Sequence, residues 1–290
     1  MAICAVCSES GSRGVTTICL GLSLSWPRPV VLVEADPTGG SAILAGYFRG
    51  RRDDDGLIDL VAAARQGQLA QRLPELLIDA PGSDGRCRIL VGSRAHEQAV
   101  GLSLIWDDLL AELKRVAGAG QDVIVDAGRL GLEGSPAPLI NGADVTLLTT
   151  GTSLPELTAA VSWARTLQGH ERPGHAVLAL LVGEGQPYTA REVRAALGLP
   201  LAGSIADDPL NAQVLSHGEP FPPAAFWRRV IWREQADERR FADSALMRSI
   251  TALGERLRGQ AASTGPETLS GPAQPADTAA AGDSMMGGLS

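Results

Sequence analysis

Ser8-Glu9-Ser10-Gly11-Ser12-Arg13-Gly14-Val15-Thr16-Thr17 is the stretch that decides the fold of this chain. It follows an apolar run, Ala2–Cys7, that reads as a buried strand, and it precedes a helical pattern, Val15–Leu24. Strand, small-residue loop and helix is the geometry of an anion cradle, in which backbone N–H groups and a helix N-terminus converge. The phosphate-loop pattern G-x-x-x-x-G-K-[ST] is half met here, with Gly14 and Thr16 in place and Val15 where the lysine belongs.

Outward from this loop, short apolar runs alternate with longer helical patterns. The strands expected are Ala2–Cys7, Pro29–Glu34, Arg88–Val91, Asp122–Asp126, Asp144–Thr149, Ala176–Val182 and Ala202–Ile205. Helices are expected over Val15–Leu24, Gly56–Ala64, Trp106–Val116, Ser153–Leu167 and Ala190–Leu197. The strand runs are continuously apolar rather than alternating, as in strands covered on both faces. This alternation predicts an α/β fold, a three-layer, doubly wound and mostly parallel sheet with helices on both faces. A last amphipathic stretch, Ser244–Leu257, carries Leu246, Ile250, Leu253 and Leu257 at helical spacing. Its opposite face is mixed in sign, which favours docking on the sheet over lying on a membrane surface.

The loop resembles the deviant Walker A motif of the MinD/ParA-type P-loop ATPases, K-G-G-x-G-K-T-T. Gly11, Gly14, Thr16 and Thr17 match; Ser10 replaces the signature lysine and Val15 the P-loop lysine. Further landmarks follow in family order. Glu34-Ala35-Asp36-Pro37-Thr38-Gly39-Gly40 resembles the switch segment D-x-D-P-x-G-N, and Asp122–Gly128 resembles the Walker B strand. Ala143–Thr150 with Ser153-Leu154 is similar to the next strand and helix start. Leu199–Pro209 is similar to the L-P-x-x-G-x-I-P-x-D stretch near the adenine. The likeness covers roughly residues 1–220. Gly183 stands where the family usually has an adenine-reading asparagine.

The resemblance implies a nucleotide site at Gly11, Ser12, Arg13, Gly14, Val15, Thr16, Thr17 and Asp208. It implies a magnesium site at Thr16 and Asp126, and Asp36 as the residue that orients the attacking water. ATP and Mg2+ are then the implied cofactors, their binding weakened or absent. Phosphoryl transfer is catalysed largely by positioning and charge stabilisation, which the missing lysines would supply. Removing one partner of a buried charge contact typically costs about 2–5 kcal/mol. In affinity that is roughly 30-fold to several thousand-fold. Arg13 is the candidate replacement, since a guanidinium forks onto phosphate oxygens, though a solvated loop-tip arginine reads the same way. The sole lysine, Lys114, ends a helix on the far side in the resembled fold. Thr16 and the strand-end aspartates have a structural alternative as caps.

The 290 residues are 44% hydrophobic with a net charge of −8, a globular composition that argues against nucleic acid or an anionic membrane held by general electrostatics. No run approaches the roughly 18 apolar residues a spanning helix needs. The apolar start lacks a basic n-region and stops at Ser8, so a cytoplasmic location is expected, with recruitment to a membrane or pole through a partner as an option. Cys4 and Cys7 have CxxC spacing, but residues three apart on a strand face opposite ways, and no second Cys/His pair follows.

Residues 1–258 are read as one P-loop-like domain. Residues 259–290, rich in Ala, Gly, Ser, Thr and Pro, are read as a disordered tail. Arg49, Arg51 and Arg52 beside Asp53, Asp54 and Asp55 read as a mixed-charge surface loop. Phe226-Trp227-Arg228-Arg229-Val230-Ile231-Trp232-Arg233 interleaves aromatics with arginine and is a candidate protein-partner surface, or an amphipathic segment that buries its tryptophans. The expected function is a positioning, scaffolding or regulatory factor with a degenerate nucleotide site, akin to the TadZ/CpaE-like proteins of pilus assembly. Two alternatives stay open: an ATPase that dimerises with ATP and uses Arg13 in place of lysine, and a DNA-partitioning protein. A homodimer is compatible with each.

Overall fold

The computed structural model describes residues 3–11, 14–51, 55–170, 172–185, 187–222 and 235–263. Eight strands form one sheet: β1 (Ile3–Ser8), β2 (Val30–Glu34), β3 (Leu77–Asp79), β4 (Cys87–Leu90), β5 (Asp122–Arg129), β6 (Val145–Thr150), β7 (Ala176–Val182) and β8 (Leu201–Ile205). Their order across the sheet is β3-β4-β2-β5-β1-β6-β7-β8, parallel throughout except for β3. β1 lies between β5 and β6, with Val6 opposite Asp126 and Leu147.

Twelve α-helices accompany the described strands: α1 (Val15–Leu24), α2 (Ala42–Ala45), α3 (Leu57–Arg65), α4 (Leu69–Glu75), α5 (Ala99–Leu102), α6 (Trp106–Gly118), α7 (Ala137–Gly142), α8 (Leu154–Gln168), α9 (Ala190–Leu197), α10 (Pro209–Ser216), α11 (Gln235–Ala242) and α12 (Ala245–Ser263). Two apolar cores sandwich the sheet. On one face Leu57, Leu109, Leu139, Leu157 and Val193 bring in α3, α6, α7, α8 and α9. On the other, Ile18, Ile43, Leu215 and Ile250 bring in α1, α2, α10 and α12. The sheet is therefore dry on both sides, which is why its strands carry continuous apolar runs.

All seven strands expected from the sequence are present, within a few residues at their ends. β3 was not expected: three residues, two half-buried and one exposed, carry no readable period. The stripe on α12 docks as expected, with Leu246, Ile250, Leu253 and Leu257 buried. Its helix runs to Ser263, past the domain boundary read at 258. Gly21 in α1 permits this docking, because a Cβ there would press on Ile250 Cδ1 at 2.8 Å. Cys4 faces one core and Cys7 the other, and all four cysteines are free and buried. Burial pushes the Cys4 thiol up to about 12 and the Cys7 thiol up as well, so neither is a ready thiolate ligand or nucleophile. Among the described residues no helix is long and apolar enough to cross a membrane.

Candidate functional site

In a doubly wound sheet the ligand crevice lies beyond the carboxyl ends of the strands. Here the ends of β1, β2 and β5 bring together Ser8–Gly11, Asp36 and Asp126. The loop after β1 is tied down at its root. The Ser8 Oγ donates to the Ser10 carbonyl at 2.8 Å, and the Leu130 N–H donates to the Ser8 carbonyl at 2.9 Å. Gly14 closes the loop with φ +66°, a left-handed conformation that favours glycine. It caps α1 with no side-chain hydrogen bond, and the first turn holds no acidic residue. Among the described residues no side chain accepts from the first N–H groups of α1, as an anion cradle requires.

Among the described residues, the side chains at the two lysine positions of the resembled motif are the uncharged Ser10 and Val15. Val15 is 5% exposed and packs into the core with Ile18 and Val6, so the lysine position is filled by an inward-facing aliphatic group. Glu9, 4% exposed, lies at the loop root. Its Oε1 accepts from the Ser10 Oγ and from the Thr150 Oγ1, both at 3.2 Å. The sequence reading passed over Glu9; its signal was a carboxylate beside the signature-lysine position.

The carboxylates of the neighbouring strands crowd one another. Asp126 is fully buried. Its Oδ1 accepts from the Gly128 N–H at 3.1 Å, while Oδ2 has no hydrogen-bond partner among the described residues. Burial, above all, pushes its carboxyl up to about 7; Asp36 and Glu34 push the same way, against the Thr16 side chain and the Gly128 N–H. Thr16 and Asp126 are thus neighbours, and an orphaned buried carboxylate oxygen fits a divalent cation. No cluster of three or more His, Cys, Asp or Glu among the described residues has metal-binding geometry, so such an ion would need water or ligand oxygens besides.

Asp36 is half-buried, and its Oδ1 accepts from the Thr38 N–H at 2.9 Å. The loop after it is held against the end of β4 through the Gly40 N–H to the Ser93 carbonyl, at 2.8 Å. A Cβ on Gly39 would run into the His96 backbone. Glu34, at the family's first switch aspartate, is buried and braces this corner. It accepts from the Gly92 N–H at 3.0 Å and the Ile43 N–H at 3.2 Å, and burial outweighs these bonds to raise its pKa.

At the adenine end, Gly183 has φ +73° and donates its N–H to the Ile205 carbonyl at 3.0 Å. Asp208 caps α10: its Oδ1 accepts from the Asn211 N–H at 3.3 Å and its Oδ2 from the Asn211 Nδ2 at 2.8 Å. Lys114 is exposed near the end of α6, which feeds the start of β5 at the opposite edge of the sheet from Asp126. Arg129 is an exposed cation that the sequence reading did not weigh, and the β1–β5 register sets it opposite Ser8. Ser12, Arg13 and the Phe226–Arg233 segment lie outside the described residues, as do residues 264–290.

The sheet order, the glycine loop between β1 and α1, and Asp126 on β5 define an α/β protein with the fold of the MinD/ParA-type P-loop ATPases. Solved structures bear this out. The cell division ATPase MinD of Pyrococcus furiosus matches with a TM-score of 0.67 at 18% identity, over 89% of this chain and 99% of that one. The septum site-determining protein MinD of Pyrococcus horikoshii OT3, in complex with Mg-ADP, matches with a TM-score of 0.67 at 17% identity, over 91% and 98%. A ParA family ATPase from Chlorobium tepidum TLS matches with a TM-score of 0.61 at 15% identity, over 88% and 98%. No protein-family model and no curated protein matches the chain. The match spans nearly the whole of each solved structure and establishes the shared fold; what the cleft does rests on its own side chains.

Proposed function

We propose that this chain is a MinD/ParA-like positioning or scaffolding factor whose nucleotide site is degenerate, binding ATP weakly and turning it over slowly or not at all. The observation that carries this reading is Val15, buried in the core at the position of the P-loop lysine. An aliphatic side chain there contributes nothing to holding β- and γ-phosphates or to spreading their charge during transfer. The described capping role of Asp208, and glycine at 183, support the same reading at the base-binding end.

Protein partners follow from this proposal, because a fold without chemistry acts through what it binds. The Aquifex aeolicus MinD structure in complex with MinC is one precedent in a protein of this fold. Phe226–Arg233 remains the candidate partner surface, and the C-terminal tail, the homodimer and recruitment to a membrane or pole belong to the same proposal. DNA partitioning is disfavoured by the net charge of −8, and a salt-dependent DNA shift at physiological ionic strength would restore it.

A second reading, a working ATPase, draws on two observations: Asp126 retains an orphaned oxygen beside Thr16, and exposed Arg129 lies in register with Ser8. In that case Arg129 or Arg13 would take the place of lysine. Titration of a fluorescent ATP analogue with magnesium separates the readings. The scaffold reading expects affinity weaker than micromolar and no steady hydrolysis. Submicromolar binding with turnover, both lost in Thr16→Ala, contradicts it.

A further inference from the structure

We infer that the outer face of α8 and α9 is the contact of a homodimer, paired across a twofold axis with a second copy of this chain. This goes beyond the proposed function, because the face lies on the side of the sheet opposite α1 and the contact needs no nucleotide.

Both helices descend from the carboxyl to the amino ends of parallel strands, α8 between β6 and β7 and α9 between β7 and β8. They therefore run side by side in the same direction. Between them lies a groove of about 320 Å³, lined on the α8 side by Leu154, Leu157 and Val161 and on the α9 side by Tyr188, Glu192 and Ala196. Leu157 forms its floor, while Leu154 is 61% exposed at its mouth and Ala196 is exposed as well. A single exposed leucine is ordinary on a protein surface; one at the mouth of an apolar groove is not. Leu154, Thr158, Val161 and Arg165 follow at helical spacing along α8, so the row continues onto an exposed guanidinium one turn beyond Val161.

The charges select the occupant. Glu192 lies in the first turn of α9, toward the carboxyl ends of the strands, and Arg165 in the last turn of α8, toward the amino ends. The Glu192 Oε2 accepts from the Thr189 N–H at 2.9 Å and the Thr189 Oγ1 at 2.7 Å, which fixes the carboxylate at its end of the groove. The Arg165 guanidinium has no ion pair or hydrogen bond among the described residues. The face thus has a negative end, a positive end and aliphatic groups between them. A partner of one sign would leave one end unmatched. A second copy turned by a twofold axis is inverted, so each Arg165 meets the Glu192 of the other copy and the two grooves close on each other. The face is two short helices wide, so the interface belongs to the small class, with a dissociation constant on the order of micromolar.

Sedimentation velocity of the full chain, from roughly 1 to 100 μM and with or without Mg·ATP, tests this. A dimer is expected in both conditions, weaker at high salt. Leu154→Asp and Ala196→Glu, both at exposed positions, should each weaken it on the order of tenfold or more, since a twofold contact counts every substitution twice. Arg165→Glu should do the same by setting like charges against each other, and combining it with Glu192→Arg should return the affinity toward that of the parent. Thermal melts accompany each variant, because Glu192→Arg also loses the cap at Thr189; should the double variant not fold, the three single ones decide. A monomer at the highest concentration overturns the proposal. So does a dimer that forms only with Mg·ATP, or one that survives Leu154→Asp, Ala196→Glu and Arg165→Glu unchanged. None of these outcomes bears on the degenerate-site reading, which the ATP titration tests separately.

Discussion

The Asp36 carboxyl lies directly over the Cα of Gly128, leaving no room for a Cβ between them. Gly128 also has φ +60° and gives its N–H to Asp126. One glycine thus seats two aspartates, one on the loop after β2 and one on β5, and lets them approach closely enough for Asp36 to raise the pKa of Asp126.

Gly128→Ala therefore carries two penalties, a left-handed backbone conformation and a displaced Asp36. The expected loss is about 1–3 kcal/mol of folding stability. Denaturant unfolding measures it, and an unchanged midpoint would mean that the Asp36–Gly128 contact is not maintained.

The raised pKa of Asp126 makes a signed prediction for pH. Between its ordinary value of 3.8 and about 7, the folded chain holds a proton that the unfolded chain has released. Stability therefore falls as pH rises through that window. Above pH 7 the cost is complete, on the order of 4 kcal/mol for a fully buried group. Glu34, also raised, acts in the same direction. Asp126→Asn should be more stable than the parent at pH 8, with the difference shrinking toward pH 4. Thermal melts across that range check this; parallel curves for the two proteins would contradict it.

At the other end of the sheet, Asp122 accepts from the Trp26 Nε1 at 2.8 Å and from both the Nε and Nη2 of Arg28 at 3.0 and 2.6 Å. It is 1% exposed, and Arg28 half-exposed. Asp122→Ala strands the buried indole N–H and is expected to cost about 2–3 kcal/mol. Because it lies at the start of β5, nucleotide affinity should not change. A shift in affinity would show that the strand transmits strain to the cleft.

Restoring the lysines tests the cradle's backbone. The double variant Ser10→Lys, Val15→Lys should bind Mg·ATP at least roughly tenfold more tightly than the parent, since one regained charge contact is worth that or more. No gain would mean that the loop between Ser8 and α1 no longer has an anion-binding shape.

The fold was legible because its evidence repeats. The runs Val30–Glu34, Asp122–Asp126 and Ala176–Val182 each state the same thing, a strand buried on both faces, and the helices between them carry the complementary period. β3 escaped because three residues hold no period, and α2 and α5 because four-residue helices carry too little pattern to read. Within the candidate site the sequence offered only residue type, as with Val15 at the lysine position. Glu9 and Glu34 were missed for a shared reason: a carboxylate matters here through its burial, and burial follows from where β6 and β4 end in space. Asp208 shows the same dependence on geometry, since its capping bonds from Asn211 follow only from the turn into α10.

The most direct test of the central claim is the nucleotide content of the purified native chain. The protein is denatured and the released nucleotides are quantified by chromatography against protein concentration. A cradle with Val15 in the core should release nucleotide far below one equivalent, near background. One ATP or ADP per chain would contradict the account, and the degenerate-site reading would go with it.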